Sequence, residues 1–167
     1  VSKVEDSDFK AIEMKPIGFI QRLSSGENVK DRNLVSRIVF TKDLAPALDG
    51  IESFSHIFVI CWFHEVAETD RQILHHPGNP AAPQPLGILA TRAPIRPNPI
   101  GLTLVELVKR EENILWVRGL DAVDNTPVLD IKPYPDWEQG RFPVVADFRV
   151  PEWLARIVRQ DDDAQHP

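Results

Sequence analysis

The sequence predicts a mainly β protein: a single closed or nearly closed β-barrel domain with short helices and a long inserted loop. Three observations predict it. About seven short extended segments follow one another along the chain, and proline-rich connections separate them. No Gly-x-Gly-x-x-Gly turn joins a strand to a helix, which disfavours a doubly wound nucleotide-binding sheet.

The segment from Lys15 to Arg22 reads as the first strand, with Ile17, Phe19 and Leu23 alternating with smaller or polar neighbours. Ser24 to Asn28 supplies a loop, and Leu34 to Phe40 a second strand. Thr41 or Asp43 is placed to cap a short helical turn that runs to Leu48 and stops at Asp49-Gly50. His56 to Phe63, rich in Ile, Val, Phe and Trp without clear alternation, reads as a central strand buried on both faces.

Between Glu65 and Pro85 the pattern fails, and His75 to Pro85 reads as loop; so long a connection in one domain points to function or mobility. Gly87 to Thr91 reads as a short strand. Gly101 to Lys109 and Ile114 to Gly119 form a hairpin about Glu111-Glu112-Asn113. Pro127 to Ile131 is a last extended piece, ended by Lys132-Pro133-Tyr134-Pro135. After Pro151, Glu152 to Arg159 has helical spacing with proline leading. The organisation expected is an N-terminal extension over 1–14, the barrel over 15–150, and a short helix with a disordered acidic tail over 151–167.

With 167 residues and 43% apolar content, one conventional core is expected. The net charge of −6 gives no global nucleic-acid footprint, so any such binding must be local. Cys61 is the single cysteine, which excludes an internal disulfide and thiol-rich metal sites. The N-terminus lacks the layout of a signal peptide, and the apolar run from Ile57 to Phe63 is too short to span a bilayer. No membrane association and a cytoplasmic location are expected.

Chemistry concentrates in two stretches. From Thr91 to Leu102, prolines alternate with Arg92, Arg96 and Asn98, and Gly101 follows. Prolines at this density fix φ and remove donors, so the chain is stiff and holds its arginines in place. A guanidinium offers a planar fork of donors suited to carboxylate or phosphate, and Asn98 both donates and accepts. A rigid surface turn carrying two solvated arginines is the alternative. The second stretch, Leu120 to Tyr134, sets Asp130, Lys132 and Tyr134 on one face if extended; a solvent-facing polar edge competes with a site wall. His56 and His64 also share a face, but Cys61 lies on the other, so no metal site is expected and His56 reads as a packed or hydrogen-bonded core residue. His64-Glu65, where the long loop begins, is better placed to meet a ligand.

Ala90-Thr91-Arg92, Arg96 to Leu102, and Asp124 to Tyr134, with Phe54 to Val59, Phe63-His64 and the initial Ile17 to Ile20, closely resemble the TsaA/TrmO-like methyltransferases. The resemblance runs from about Lys15 to about Trp137 through three separated motifs in the family's order. It implies an S-adenosyl-L-methionine-dependent enzyme on a β-barrel, acting as a homodimer, whose best-known activity is N6-methylation of N6-threonylcarbamoyladenosine beside the anticodon of tRNA. By motif, cofactor contacts fall at His64, Glu65, Arg92, Leu102, Asp124, Asn125, Thr126 and Pro127. Catalytic roles fall at Asn98, Asp130 and Tyr134, and substrate contacts at Arg96 and Lys132. Members usually carry Pro-x-Gln after the first strand, where this sequence has Gly26 to Asn33, so one cofactor contact is unassigned. Longer members add a C-terminal domain, and this sequence reads as the single-domain form. The competing readings are a methyltransferase of this fold with a different or smaller substrate, and a noncatalytic barrel that binds RNA or a protein.

Overall fold

The structure, a computed structural model, describes residues 10–23, 29–78 and 85–134. Strands β1 (Gly18–Arg22), β2 (Val35–Phe40), β3 (His56–Trp62), β4 (Leu74–His75), β5 (Leu86–Gly87), β6 (Ile100–Glu111), β7 (Ile114–Arg118) and β8 (Pro127–Tyr134) follow in chain order. Six of them close an antiparallel barrel in the order β1-β2-β7-β6-β3-β8, and β4 pairs with β5 alone. The mainly β barrel read from the sequence is therefore the fold. The expected segments at 1–14 and 151–167 lie largely outside the described residues, as do the helix over 152–159 and the acidic tail.

Alternation builds the barrel. Ile20, Ile38, Leu115, Val117, Val105, Ile57 and Val59 have no more than 2% of their surface exposed and meet inside. At ~25 cal/mol per Å2 of apolar surface, a side chain of this kind contributes about 1.5–3 kcal/mol when fully buried. Registers such as Ile20↔Ile38↔Leu115 keep like faces together across three strands. Two irregularities curve the sheet. Val108 is passed over where β6 pairs with β7, and Leu129 where β3 pairs with β8.

Several expectations need correction. In β1 it is Ile20 that points inward, while Phe19 is 47% exposed and Ile17 precedes the strand. β3 is not buried on both faces: Ile57, Val59 and Cys61 face the core, and His56, Phe58, Ile60 and Trp62 are half-buried on the outside. No strand covers 87–91; after β5 the chain makes a 3-10 turn at Ile88–Ala90, where Thr91 Oγ1 donates to the Ile88 carbonyl at 2.8 Å. The long loop also contains a 3-10 turn at Glu68–Asp70, and His75 belongs to β4. The helical turn at Lys42–Leu48 exists as 3-10, but Thr41 makes no side-chain cap bond.

β8 continues through Lys132 and Pro133 to Tyr134. The reason lies in its partners. β3 pairs along it, but β1 reaches only Pro127 and Val128, so from Leu129 onward its second edge has no strand partner among the described residues, and a proline there removes no ladder bond with them.

Candidate active site

At one end of the barrel, the exits of β3 and β7 and the entry of β6 converge beneath the proline-rich segment. That segment is fastened by its backbone rather than by packing. Phe63 N–H donates to the Pro99 carbonyl (2.7 Å), Gln72 N–H to Ile95 (2.8 Å) and Ile100 N–H to Asn98 (2.7 Å). Its arginines tighten it further. Arg92 Nη2 donates to the Leu102 carbonyl at 2.6 Å, and Arg96 Nη1 to the Thr91 carbonyl at 3.3 Å. Each guanidinium carries five donors, so neither is used up by these bonds.

Two adjoining hollows lie under this segment and share Phe63, Arg92 and Asp121. The first, about 680 Å3, is bounded by Leu89, Arg96, Asn98, Gly101, Leu102 and Thr103 in addition. The second, about 420 Å3, adds Val29, Lys30, His64, Glu65, Pro94 and Val123. Both fall in the size range of small-molecule sites. Together they form one cleft with cations at Arg92, Arg96 and Lys30, anions at Asp121 and Glu65, and apolar surface at Phe63 and Leu89.

Gly101 makes the cleft possible. A Cβ there would stand 2.6 Å from Phe63 Cζ and 2.8 Å from Cys61 Sγ, so only glycine lets the Phe63 ring lie against β6. Beneath it, Thr103 Oγ1 donates to Asp121 Oδ1 at 2.6 Å, fixing the carboxylate at the junction of the two hollows. Burial, and after it the Asp121 charge, push the Cys61 thiol up to about 11. It stays protonated at neutral pH and is no nucleophile.

Of the residues singled out in the sequence, Arg92, Arg96, Asn98, Leu102, His64 and Glu65 meet in this cleft. The turn from Asp124 to Pro127 does not line it. Asp124 Oδ1 accepts from Arg22 N–H (2.8 Å), Asn125 takes φ +58°, and buried Thr126 donates through Oγ1 to the Val123 carbonyl (2.8 Å). Pro127 instead borders a separate apolar hollow, together with Asn98. Asp130, Lys132 and Tyr134 do share a face, on the outer wall. Asp130 pairs with Lys132 at 2.9 Å, raising the lysine pKa, and Tyr134 meets Phe58 edge-on at 5.5 Å. Asp130 and Leu102 both stand opposite Ile60, so two strand spacings, roughly 10 Å, separate them. His56 is half-buried rather than a core residue, its Nδ1 2.9 Å from Ser55 Oγ.

Sequence reasoning passed over Asp121, Phe63, Thr103, Val29 and Lys30 as site residues. The last two stand in the region of the missing Pro-x-Gln element and reach the cleft. Among the described residues, no group of three or more His, Cys, Asp or Glu is placed to hold a metal, and no helix is long and apolar enough to cross a membrane.

A closed antiparallel barrel thus carries a two-signed cleft, of a size suited to a small molecule, under a proline-stiffened arginine segment. The sequence profile of the tRNA-methyltransferase O N-terminal domain matches residues 26–137, and the chain belongs to that family. A probable S-adenosyl-L-methionine-binding protein of Methanothermobacter thermautotrophicus is 39% identical over 128 residues, which cover 74% of this chain and 90% of the relative. The tRNA (adenine(37)-N6)-methyltransferase of Escherichia coli is 38% identical over 110 residues, covering 64% of this chain but 47% of that enzyme. The crystal structure of TrmO from Pseudomonas aeruginosa superposes with a TM-score of 0.65 at 30% identity, over 86% of this chain and 62% of that one. The chain thus spans most of the short archaeal relative and about half of the E. coli enzyme.

Proposed function

We propose that this protein is an S-adenosyl-L-methionine-dependent methyltransferase that methylates N6 of N6-threonylcarbamoyladenosine next to the anticodon of tRNA. The observation that carries the reading is the joined cleft around Arg92, Asp121 and Phe63 in a member of this family. Its chemistry fits the cofactor. Arg92 and Lys30 match a carboxylate, Asp121 and Glu65 match the ammonium and sulfonium charges, and Phe63 with Leu89 matches adenine. His64 and the Leu102 backbone complete this set, and the Asp124-Asn125-Thr126-Pro127 turn supports it from the neighbouring wall.

S-adenosyl-L-methionine held in the cleft would supply an electrophilic methyl and leave as a thioether, and Asp130 would take up the proton released by the acceptor nitrogen. The chain's contribution is mainly alignment, for which the stiff segment holding Arg96 and Asn98 is suited. Arg96 and Lys132 pair with the threonyl carboxylate of the acceptor. Tyr134 packs beside this carboxylate–lysine pair and helps take up the proton.

The protein acts as a homodimer through the outer wall of β6 and β3. Leu102 and Leu104 are 47% and 39% exposed there, beside half-buried Ile60 and Phe58, an apolar face that a second copy would cover. A tRNA substrate supports a cytoplasmic location.

Calorimetry with S-adenosyl-L-methionine tests the cofactor, and absence of binding overturns the whole reading. Mass spectrometry of nucleosides from tRNA incubated with protein and cofactor tests the acceptor: a new methyl on threonylcarbamoyladenosine is expected.

A further inference from the structure

Beside the cleft lies a third hollow of about 480 Å3, which the cofactor reading does not use. Trp62, Ile100, Pro127 and Leu129 form its floor, the chain ahead of β1 with Met14 forms its rim, and Asn98 stands at its side. Asn98 and Ile100 also border the cleft, so the two spaces share a wall. We infer that this hollow is the slot for the acceptor's purine base, received unstacked, with Trp62 as its stacking platform and Asn98 at its polar edge. The inference rests on the proposed methyltransferase reading and names where the acceptor sits.

Three features favour a base as occupant. An extruded base needs an aromatic or apolar slot and a few groups for its polar edge, and here the Trp62 indole and mostly apolar side chains meet the Asn98 carboxamide, with Lys10, among the described residues, as the one charged group in the lining. An asparagine amide offers a donor and an acceptor together, the pair that matches the N6 and N7 positions of adenine. The location also satisfies the reaction: donor and acceptor must approach in line, and the shared wall at Asn98 is where two ligands in adjoining spaces come closest.

The local structure builds the slot. The irregularity that leaves Leu129 unpaired sits between Asp130 opposite Ile60 and Val128 opposite Cys61, at the strand end where Trp62 emerges. The Arg71 guanidinium lies 5.7 Å from the Trp62 ring centre and steadies the indole. Met14 is 54% exposed, so the rim is open to an incoming nucleotide.

The test uses the full chain, S-adenosyl-L-methionine and an anticodon stem-loop carrying threonylcarbamoyladenosine. Trp62→Ala should raise KM for the stem-loop, and weaken its binding in the absence of cofactor, by about tenfold or more, the loss expected for one base–aromatic stack. Its affinity for S-adenosyl-L-methionine should stay within about twofold of wild type by the same reasoning, and Trp62→Phe should recover most of the RNA affinity. Met14→Trp, at an exposed position that tolerates exchange, should narrow the rim and raise the same KM even if the alanine variant folds poorly. Unchanged KM in these variants overturns the slot while leaving the methyltransferase reading intact. A parallel loss of cofactor affinity overturns it by moving Trp62 into the cofactor site, and dissociation of the dimer overturns it by making the hollow a subunit contact. A wild-type protein that binds cofactor but neither binds nor methylates the stem-loop overturns both.

Discussion

The outer surface of β6 belongs to two walls that obey the same alternation and end in opposite states. Toward β7 and β2, and at the far end of β6, Trp116, Arg110 and Glu111 are answered from within the chain. Trp116 has the Arg37 guanidinium 5.4 Å and the Lys109 ammonium 4.5 Å from its ring centre, and donates through Nε1 to Glu111 at 2.8 Å. Arg110 reaches Asp49 at 2.8 Å and Glu52 at 3.5 Å, so its pKa is raised. Lys109 and Trp116 together hold the Glu111 carboxyl below its ordinary range. Toward β3 and β8 the same strand presents Leu102 and Leu104 to solvent, next to Phe58 and Ile60. One wall is closed by its own charges; the other is left apolar at the end nearest the cleft. The difference puts the apolar face of the proposed dimer beside the cleft.

The largest test of that contrast is Leu104→Glu. A charge on the apolar wall should convert a dimer to monomers in light scattering and reduce methyl transfer by more than tenfold, because an unpaired charge at an interface costs several kcal/mol. Trp116→Glu on the other wall should leave the assembly unchanged. Next in size, Gly101→Ala forces Phe63 and Cys61 apart and should cost about 1–3 kcal/mol in denaturant unfolding, together with cofactor affinity.

Alkaline pH probes the layer beneath the site. The unfolded Cys61 thiol ionises near 9.0 and the folded one near 11, so between these values the native state holds more protons. Stability is therefore constant below pH 9 on this account and falls as pH rises from 9 to 11, by about 1 kcal/mol per unit crossed. A Cys61→Ala protein should lack that slope in thermal melts at graded pH. Smallest, Lys109→Met on the closed wall should change stability by no more than about 0.5–1 kcal/mol, since the ammonium is exposed and its contacts with Glu111 and Trp116 are screened.

Much of this architecture was legible because it is local. The hairpin of β6 and β7 follows from two apolar runs about Glu111 to Asn113, and Glu112 takes the positive φ of 52° that such a turn asks for. The stiffness of the segment from Ala90 to Leu102 follows from its prolines, and six of the site residues chosen from the sequence meet beside it. What escaped was set by partners distant in sequence. Whether Phe19 or Ile20 faces inward is a one-residue choice of phase, decided by Ile38 across the ladder and by the Thr126 carbonyl that accepts from Ile20 N–H at 3.0 Å. Asp121 is one of three aspartates between Leu120 and Tyr134, and what sets it apart is Thr103, 18 residues away, which holds it at the cleft. The persistence of β8 through Pro133 depends on an edge that, among the described residues, the short β1 does not reach.

That shortness has a mechanical consequence. Among the described residues only Gly18↔Val128 and Phe19↔Pro127, with Ile17 N–H donating to the Val128 carbonyl at 2.8 Å, sew the first strand to the last, so this seam is where the cylinder has fewest stitches. The Asp124-to-Thr126 turn makes up the shortfall, with Asp124 receiving Arg22 N–H and Asn125 N–H donating to the Ile20 carbonyl at 2.8 Å. Residues that the family resemblance marks for ligand contact thus also clasp the barrel shut, and amides along this seam should exchange with solvent sooner than those of β3. A ligand gripping that turn would brace the whole cylinder.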